Sequence, residues 1–306
     1  MARVLLLNTN DVHTYGSEYS QLARPPGMEV TVDEVMTGPS WDMSPSIMLM
    51  LARRVRDAIM DEQYTGVVVA QGVDTLEETA YLTDLLVGEA ASRATVVFTG
   101  ATRRADDPEP DGPRNLAAAI TAAGDPRLRG AGAVVCFDDY LHAARWATNL
   151  GTTFSSDPYS PLARIAGDQV VPVGPAPRRP PRPAGQPACD VALIRTYPGM
   201  TDTLLHAVVN AGAAGVVLEG TGPGNVPAEL FATITELIEW GIPVVVASRH
   251  PHTRQLAADL PHSAGLALTL GAISARGLNA TKARVALMVA LGTGNARRAQ
   301  EWFDQL

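Results

Sequence analysis

The sequence predicts a two-domain α/β protein. A larger N-terminal domain is built on a mostly parallel sheet with flanking helices, and a smaller C-terminal domain is doubly wound. Three observations lead there. Short, apolar, β-branched runs alternate with helical stretches along the chain. Four such β/α units fall in the first half, the pattern of a parallel sheet covered by helices. A proline- and arginine-rich stretch from Gly174 to Pro187 then separates two halves that follow the same logic. The expected division is 1–173 for the large domain, 174–187 for an extended, semi-stiff linker and 188–306 for the small domain.

Taken in order, Arg3–Leu7 is apolar and reads as a buried first strand, being too short for the core of a signal peptide. Asn8–Gly16 is a polar loop. Residues 17–39 are irregular, with Pro25-Pro26-Gly27 and Gly38-Pro39 as breakers and a short strand expected within Met28–Val35. Ser44-Pro45 supplies an N-cap and a first-turn proline for a helix reaching about Glu62. Thr65–Ala70 is the next strand. Gly72 permits a tight turn, and a helical pattern runs on through Tyr81–Val87. Thr75 and Glu78 have capping-box spacing at its start. Thr95–Thr99 is a strand ended by Gly100, residues 103–113 a charged loop, and Asn115–Ala123 a helix. Ala131–Phe137 is a strand, and Asp138-Asp139 a hairpin turn into Tyr140–Trp146. In the second half three strands are expected, Asp190–Ile194, Gly215–Leu218 and Pro243–Ala247. Helices are expected over Asp202–Ala211 and Pro227–Trp240, then one capped by Asn279, then a last one to the C-terminus.

Composition narrows the function classes. With 306 residues, 46% of them hydrophobic, the chain can bury two cores. It has no apolar run of the 18 or more residues that a membrane span needs. A net charge of −8 argues against nucleic acid and anionic membrane as main partners. Cys136 and Cys189 lie in or beside apolar runs and are expected as buried free thiols, which fits a reducing cytoplasm. No Cys/His cluster has metal-ligand spacing, and no cofactor is expected. The loop Gly220–Pro227 has Gly-x-Gly-x-Gly spacing, not that of a dinucleotide fingerprint, so its glycines read as turn chemistry.

The stretch Gln71-Gly-Val-Asp-Thr-Leu-Glu-Glu-Thr-Ala80 organises the rest. It places Asp74 at the carboxyl end of one strand and the amino end of a helix, where open α/β sheets bind ligands. An acid there is either a ligand anchor or a favourable charge against the helix dipole.

Several stretches together resemble the bacterial L-asparaginase/glutaminase family. Gln71–Ala80 looks like its second signature. Val97-Phe-Thr-Gly-Ala-Thr-Arg103 and Asp111-Gly-Pro-Arg-Asn-Leu116 look like the strand and helix that follow. Thr153-Phe154, Ser160-Pro161-Leu162, Tyr197-Pro-Gly-Met200, Gly220–Asn225 and Lys282-Ala-Arg284 agree in order and spacing. The resemblance implies hydrolysis of an amino-acid side-chain amide through a threonine nucleophile and an acyl-enzyme. It also implies a homodimer or homotetramer with sites between subunits.

Matched residue by residue, Ser40 falls on the serine that holds the substrate carboxylate and Asp74 on the aspartate that holds its ammonium. Asn225 falls on a small-domain asparagine that reaches a neighbouring site, and Ala101 is expected to line the substrate. The catalytic positions differ. The first signature becomes Asn8-Thr-Asn-Asp-Val12, with Asp11 in place of the nucleophile. The catalytic threonine of the second signature is Val73, which has no hydroxyl. The catalytic lysine is matched by Asn149, with Arg145 the nearest cation. The small-domain acid has no counterpart in Pro261–Gly265.

Three readings follow. In the favoured one the chain is a diverged enzyme, with Asp11, His13 and Tyr15 as catalytic groups and Thr14 and Trp41 beside the substrate. Asp11 is otherwise a turn residue, His13 a solvated loop histidine and Trp41 packing. In the second, the chain is a non-catalytic amino-acid-binding protein. In the third it is an ordinary L-asparaginase.

Overall fold

The computed structural model describes residues 1–9, 27–36, 38–250 and 265–306. Asp11, His13, Thr14, Tyr15 and residues 261–264 lie outside the described residues. The chain divides into two compact units, Met1–Pro177 and Arg178–Leu306.

The first unit carries an eight-stranded sheet in the order β10-β9-β6-β5-β4-β3-β1-β2. Its strands are β1 (Ala2–Asn8), β2 (Met28–Glu34), β3 (Gly66–Ala70), β4 (Thr95–Thr99), β5 (Ala133–Phe137), β6 (Tyr140–Ala143), β9 (Ala163–Ala166) and β10 (Gln169–Pro172). A separate ribbon pairs β7 (Thr148–Asn149) with β8 (Phe154–Ser155). The first five strands run parallel, and β6, β9 and β10 add an antiparallel edge. Both faces are covered, which is why the parallel strands are apolar throughout rather than alternating. Leu5, Leu7, Val67, Val69, Val96 and Phe98 enter one core. Their neighbours Val4, Leu6, Val68 and Val97 enter the other. Helices α1 (Pro45–Met60) and α2 (Leu76–Val87) cover the first face, and α3 (Gly112–Ala123) the second.

Local chemistry accounts for most element ends. Ser44 caps α1 by accepting from Ile47 N at 3.3 Å, with Pro45 in the first turn. Asp138 and Asp139 both take positive φ, +48° and +65°. That gives the β5–β6 hairpin the backbone twist a two-residue turn requires. The antiparallel pair β9–β10 was not expected from sequence; its strands are four residues each, turning at Gly167 with φ +65°.

The second unit has a parallel four-stranded sheet in the order β11 (Val191–Arg195), β12 (Gly215–Gly220), β13 (Val244–Ser248) and β14 (Ile273–Ser274). Three strands were expected; the fourth has only two residues and leaves no periodicity to read. Its helices are α4 (Thr203–Asn210), α5 (Phe231–Glu239), α6 (Leu266–Thr269), α7 (Ala280–Leu291) and α8 (Ala296–Phe303). Asn279 caps α7 by accepting from Lys282 N at 2.9 Å. Part of the expected linker is anchored within this unit: Trp302 Nε1 donates to Pro181 O at 2.8 Å, and Gly185 N to Gly292 O at 3.1 Å.

Cys136 is a buried free thiol and Cys189 a partly exposed one, so the expectation of two buried thiols holds for Cys136 alone. Burial pushes the Cys136 thiol far up, with Asp139 and Asp138 adding to the shift, so it stays protonated and unreactive. Among the described residues, no helix is long and apolar enough to cross a membrane.

Candidate functional site

The order β2-β1-β3-β4-β5 places a topological switch between β1 and β3, because the chain leaves β1 toward opposite sides of the sheet. The crevice beyond the carboxyl ends at such a switch is where this kind of sheet binds ligands. Here those ends are Asn8-Thr9 on β1 and the Gln71–Asp74 turn after β3. Both the backbone N–H and the hydroxyl of Thr9 donate to Ala70 O at 3.1 Å, tying the two strand ends together.

A hydrogen-bonded chain shapes the turn. Gln71 is fully buried, and its Nε2 donates to the hydroxyls of Thr75 and Thr79, each at 3.1 Å. Thr75 Oγ1 in turn donates to Ser40 O at 2.8 Å. This corrects the expected capping box: Thr75 is the N-cap of α2, but its side chain makes no capping bond. The hydroxyl instead holds the Ser40–Asp42 turn, 35 residues away in sequence.

Ser40 is therefore fixed at two points. Its carbonyl accepts from Thr75, and its hydroxyl donates to Asp74 Oδ2 at 2.6 Å. Ser40 is buried and Asp74 is exposed. The pair expected from sequence to grip substrate is thus brought together, with the carboxylate turned to solvent at the strand end. Trp41, the next residue, is 64% exposed.

The positions expected to differ catalytically also meet. Val73 is half-buried and packs against the core that holds β1 and β3. Asn149 Nδ2 donates to Val73 O at 3.0 Å, Asn149 N donates to Glu77 Oε2 at 3.0 Å, and Asn149 Oδ1 accepts from Gly151 N at 2.8 Å. Arg145 lies near Tyr81: burial pushes the Tyr81 phenol up while Arg145 pulls it down.

Gly100 and Ala101 follow β4 on the other flank of the turn. A Cβ on Gly100 would stand 2.4 Å from Gln71 O, so only glycine permits this approach. Asn115 Nδ2 donates to Gly100 O at 3.1 Å, and Asn115 Oδ1 accepts from Asp138 N at 3.2 Å, joining β4, α3 and the β5 turn. Asp111 accepts from Thr102 N, Thr102 Oγ1 and Arg103 N at 3.0, 2.8 and 2.8 Å. Burial alone would raise the Asp111 carboxyl, but those donors outweigh it and hold it below the usual carboxylate range. Ala101 is buried beside this braced loop.

Asn225 belongs to the second unit, at the carboxyl end of β12. Thr221 and Asn225 exchange backbone bonds at 2.7 and 2.8 Å, and Gly222 and Gly224 take φ +53° and +120°. The glycines of this loop thus serve a tight turn. Asn225 Oδ1 is buried with no hydrogen-bond partner among the described residues.

Sequence reasoning missed Gln71, Thr75, Glu77 and Thr9 as members of the site's frame. Their signal was polar residues at positions the strand and helix patterns bury, visible only once those elements are placed. Among the described residues, no group of three or more His, Cys, Asp or Glu side chains is arranged to hold a metal ion.

Residues 8–176 match the family described as Asparaginase, N-terminal. Residues 190–303 match the Glutaminase/Asparaginase C-terminal domain. The chain is 30% identical over 291 residues to L-asparaginase 2 of Escherichia coli strain K12, covering 89% of this chain and 79% of that protein. It is 32% identical over 284 residues to a probable L-asparaginase of Deinococcus radiodurans, covering 89% and 84%. Against L-asparaginase 2 of Bacillus subtilis strain 168 the identity is 28% over 293 residues, covering 90% and 74%. With both domains matched in order across nearly its whole length, the chain belongs to the asparaginase family.

Proposed function

We propose that the protein is an amidohydrolase-type enzyme that acts on a side-chain amide, or a related C–N bond, of an amino-acid-like substrate, with Asp11 in place of the family's threonine nucleophile. The observation that carries this reading is the Ser40–Asp74 pair, assembled at 2.6 Å at the sheet's switch point beside a Val73 that has no hydroxyl. The grip on an amino acid is kept while the usual nucleophilic partner is absent.

In the reaction, water adds to the amide carbonyl carbon, the C–N bond breaks, and the amine leaves with the proton it gains. Asp11 serves as general base toward water or as a carboxylate nucleophile, with His13 and Tyr15 as the neighbouring acid/base groups. Thr14 and Ala101 line the substrate, and Asn225 reaches the site of a neighbouring subunit in a homodimer or homotetramer. The protein works in the cytoplasm without a cofactor.

A second reading, a non-catalytic amino-acid-binding protein, draws support from Asn149. Its amide is engaged by Val73 O and Gly151 N, and it carries no proton to transfer. Ordinary L-asparaginase activity is favoured by the names of the relatives and opposed by Val73.

The test is Asp11→Asn assayed on amino-acid amides, hydrazides and related conjugates. Under the first reading the variant loses at least a hundredfold in kcat on the substrate the wild type turns over, the general base contributing about 10²–10⁴. Equal rates would remove Asp11 from the chemistry. Binding without turnover by either protein would favour the second reading.

A further inference from the structure

We propose that Ser248 and Arg249, at the carboxyl end of β13, are positioning residues for Asn225: they clamp the loop that presents its amide to substrate. The inference rests on the reading of Asn225 as a residue that reaches a neighbouring subunit's site, and adds the device that holds it ready.

Parallel strands end in backbone carbonyls that the ladder no longer satisfies, and these need other donors. In the second unit two consecutive residues supply them. Arg249 N donates to Gly220 O at 3.0 Å, at the end of β12. Its guanidinium goes one strand further: Nη2 donates to Thr196 O at 2.5 Å, just past β11. Arg249 Nε is buried, so the side chain lies along the strand ends instead of standing in solvent. Ser248 Oγ donates to Gly222 O at 2.7 Å, inside the loop itself. Thr196 is a firm anchor, fully buried, with its N–H and hydroxyl both donating to Glu219 O at 3.0 Å.

The loop held this way is Thr221–Asn225. Besides the paired bonds between its end residues, Gly224 N donates to Thr221 O at 3.0 Å. The loop folds back on β12 so closely that a Cβ on Gly220 would stand 2.7 Å from Asn225 O. Asn225 Oδ1 is buried with no partner among the described residues, so the backbone is left to hold the side chain in place. Two of the five loop residues are glycines, which alone would leave that backbone many conformations. The Ser248 and Arg249 bonds remove those alternatives before substrate arrives, so less ordering is lost on binding.

Hydrogen exchange on the full chain tests the clamp. In Ser248→Ala and Arg249→Gln the amides of Thr221, Gly224 and Asn225 should exchange about tenfold faster, while those of Val216–Leu218 in β12 keep their rates. Arg249→Lys should restore part of the protection. An unchanged loop, or equal acceleration along β12, would overturn the clamp. Calorimetric titration with L-asparagine and L-aspartate tests what the clamp is for. Arg249→Gln should weaken binding about fivefold in the wild-type background but less than about twofold in Asn225→Ala. Equal losses in the two backgrounds would make Arg249 a general structural residue and overturn the positioning role. The reading beneath fails in its own way. If Asn225→Ala binds as tightly as wild type, Asn225 is not in the site. If wild type binds neither compound, the amino-acid grip falls, and the positioning role falls with it.

Discussion

Asn149 donates its side-chain amide to the carbonyl of Val73 at 3.0 Å, joining two positions that the sequence reading expects to stand where the family's catalytic lysine and threonine do. The contact is structural in kind. It ties the β7–β8 ribbon to the turn that carries Asp74, and Asn149 N adds a bond to the buried Glu77 carboxylate. Asn149→Ala is expected to cost about 1 kcal/mol, the ordinary worth of such a bond. Asn149→Asp should cost more, about 2 kcal/mol, because it sets a carboxylate against a carbonyl and beside Glu77. The urea midpoints of the two variants check the order. An alanine variant as stable as the wild type would show that the amide is not a tie.

Gly100 sets how closely β4 approaches the site turn. In Gly100→Ala the new methyl would meet Gln71 O at 2.4 Å and Val73 Cγ1 at 3.2 Å, and the first of these is backbone. A stability loss of about 1–3 kcal/mol is expected from this overpacking. Ligand affinity should fall as well, since the displaced turn carries Asp74. Thermal unfolding and calorimetry on the same preparation check both parts, and an unchanged affinity would uncouple the turn from the grip.

Asp111 makes stability depend on acid in a defined direction. Its folded-state carboxyl is held below the ordinary value of about 3.9 by the Thr102 and Arg103 donors, against the opposing effect of burial. A depressed carboxyl contributes stability that is full above the unfolded value and is lost as pH falls through the folded one. Below about pH 4 the wild type should therefore weaken more steeply than Asp111→Asn, which cannot titrate. Near neutral pH the variant should be the less stable of the two, since an amide cannot accept from all the same donors at once. Urea midpoints between pH 3 and pH 7 check this, and parallel acid limbs would refute it.

Much of the fold was legible because its signals are local. The runs Val4–Leu7, Val67–Ala70 and Thr95–Phe98 read as strands because two-sided burial leaves them no polar alternation. Ser44 and Asn279 read as caps because a cap is made within three residues. Asp138-Asp139 read as a hairpin for the same reason. The strands β9, β10 and β14 were not legible, being too short to show a period. At the site, the resemblance carried Ser40, Asp74, Val73 and Asn149 by position alone.

By itself, then, the sequence determined most of the order of α and β elements and, through its resemblance, the family. The elements follow from periodicity and capping, which a linear chain records, and the family from the resemblance of its motifs. Only the tertiary structure decided what each group does with its bonds. Thr75 spaces like a capping residue, yet its side chain makes no capping bond and its hydroxyl donates to Ser40 O. Ser40 gives its proton to Asp74, and Asn149 braces Val73. Each of these bonds joins residues at least 34 apart in sequence, and no local pattern encodes a partner chosen by packing.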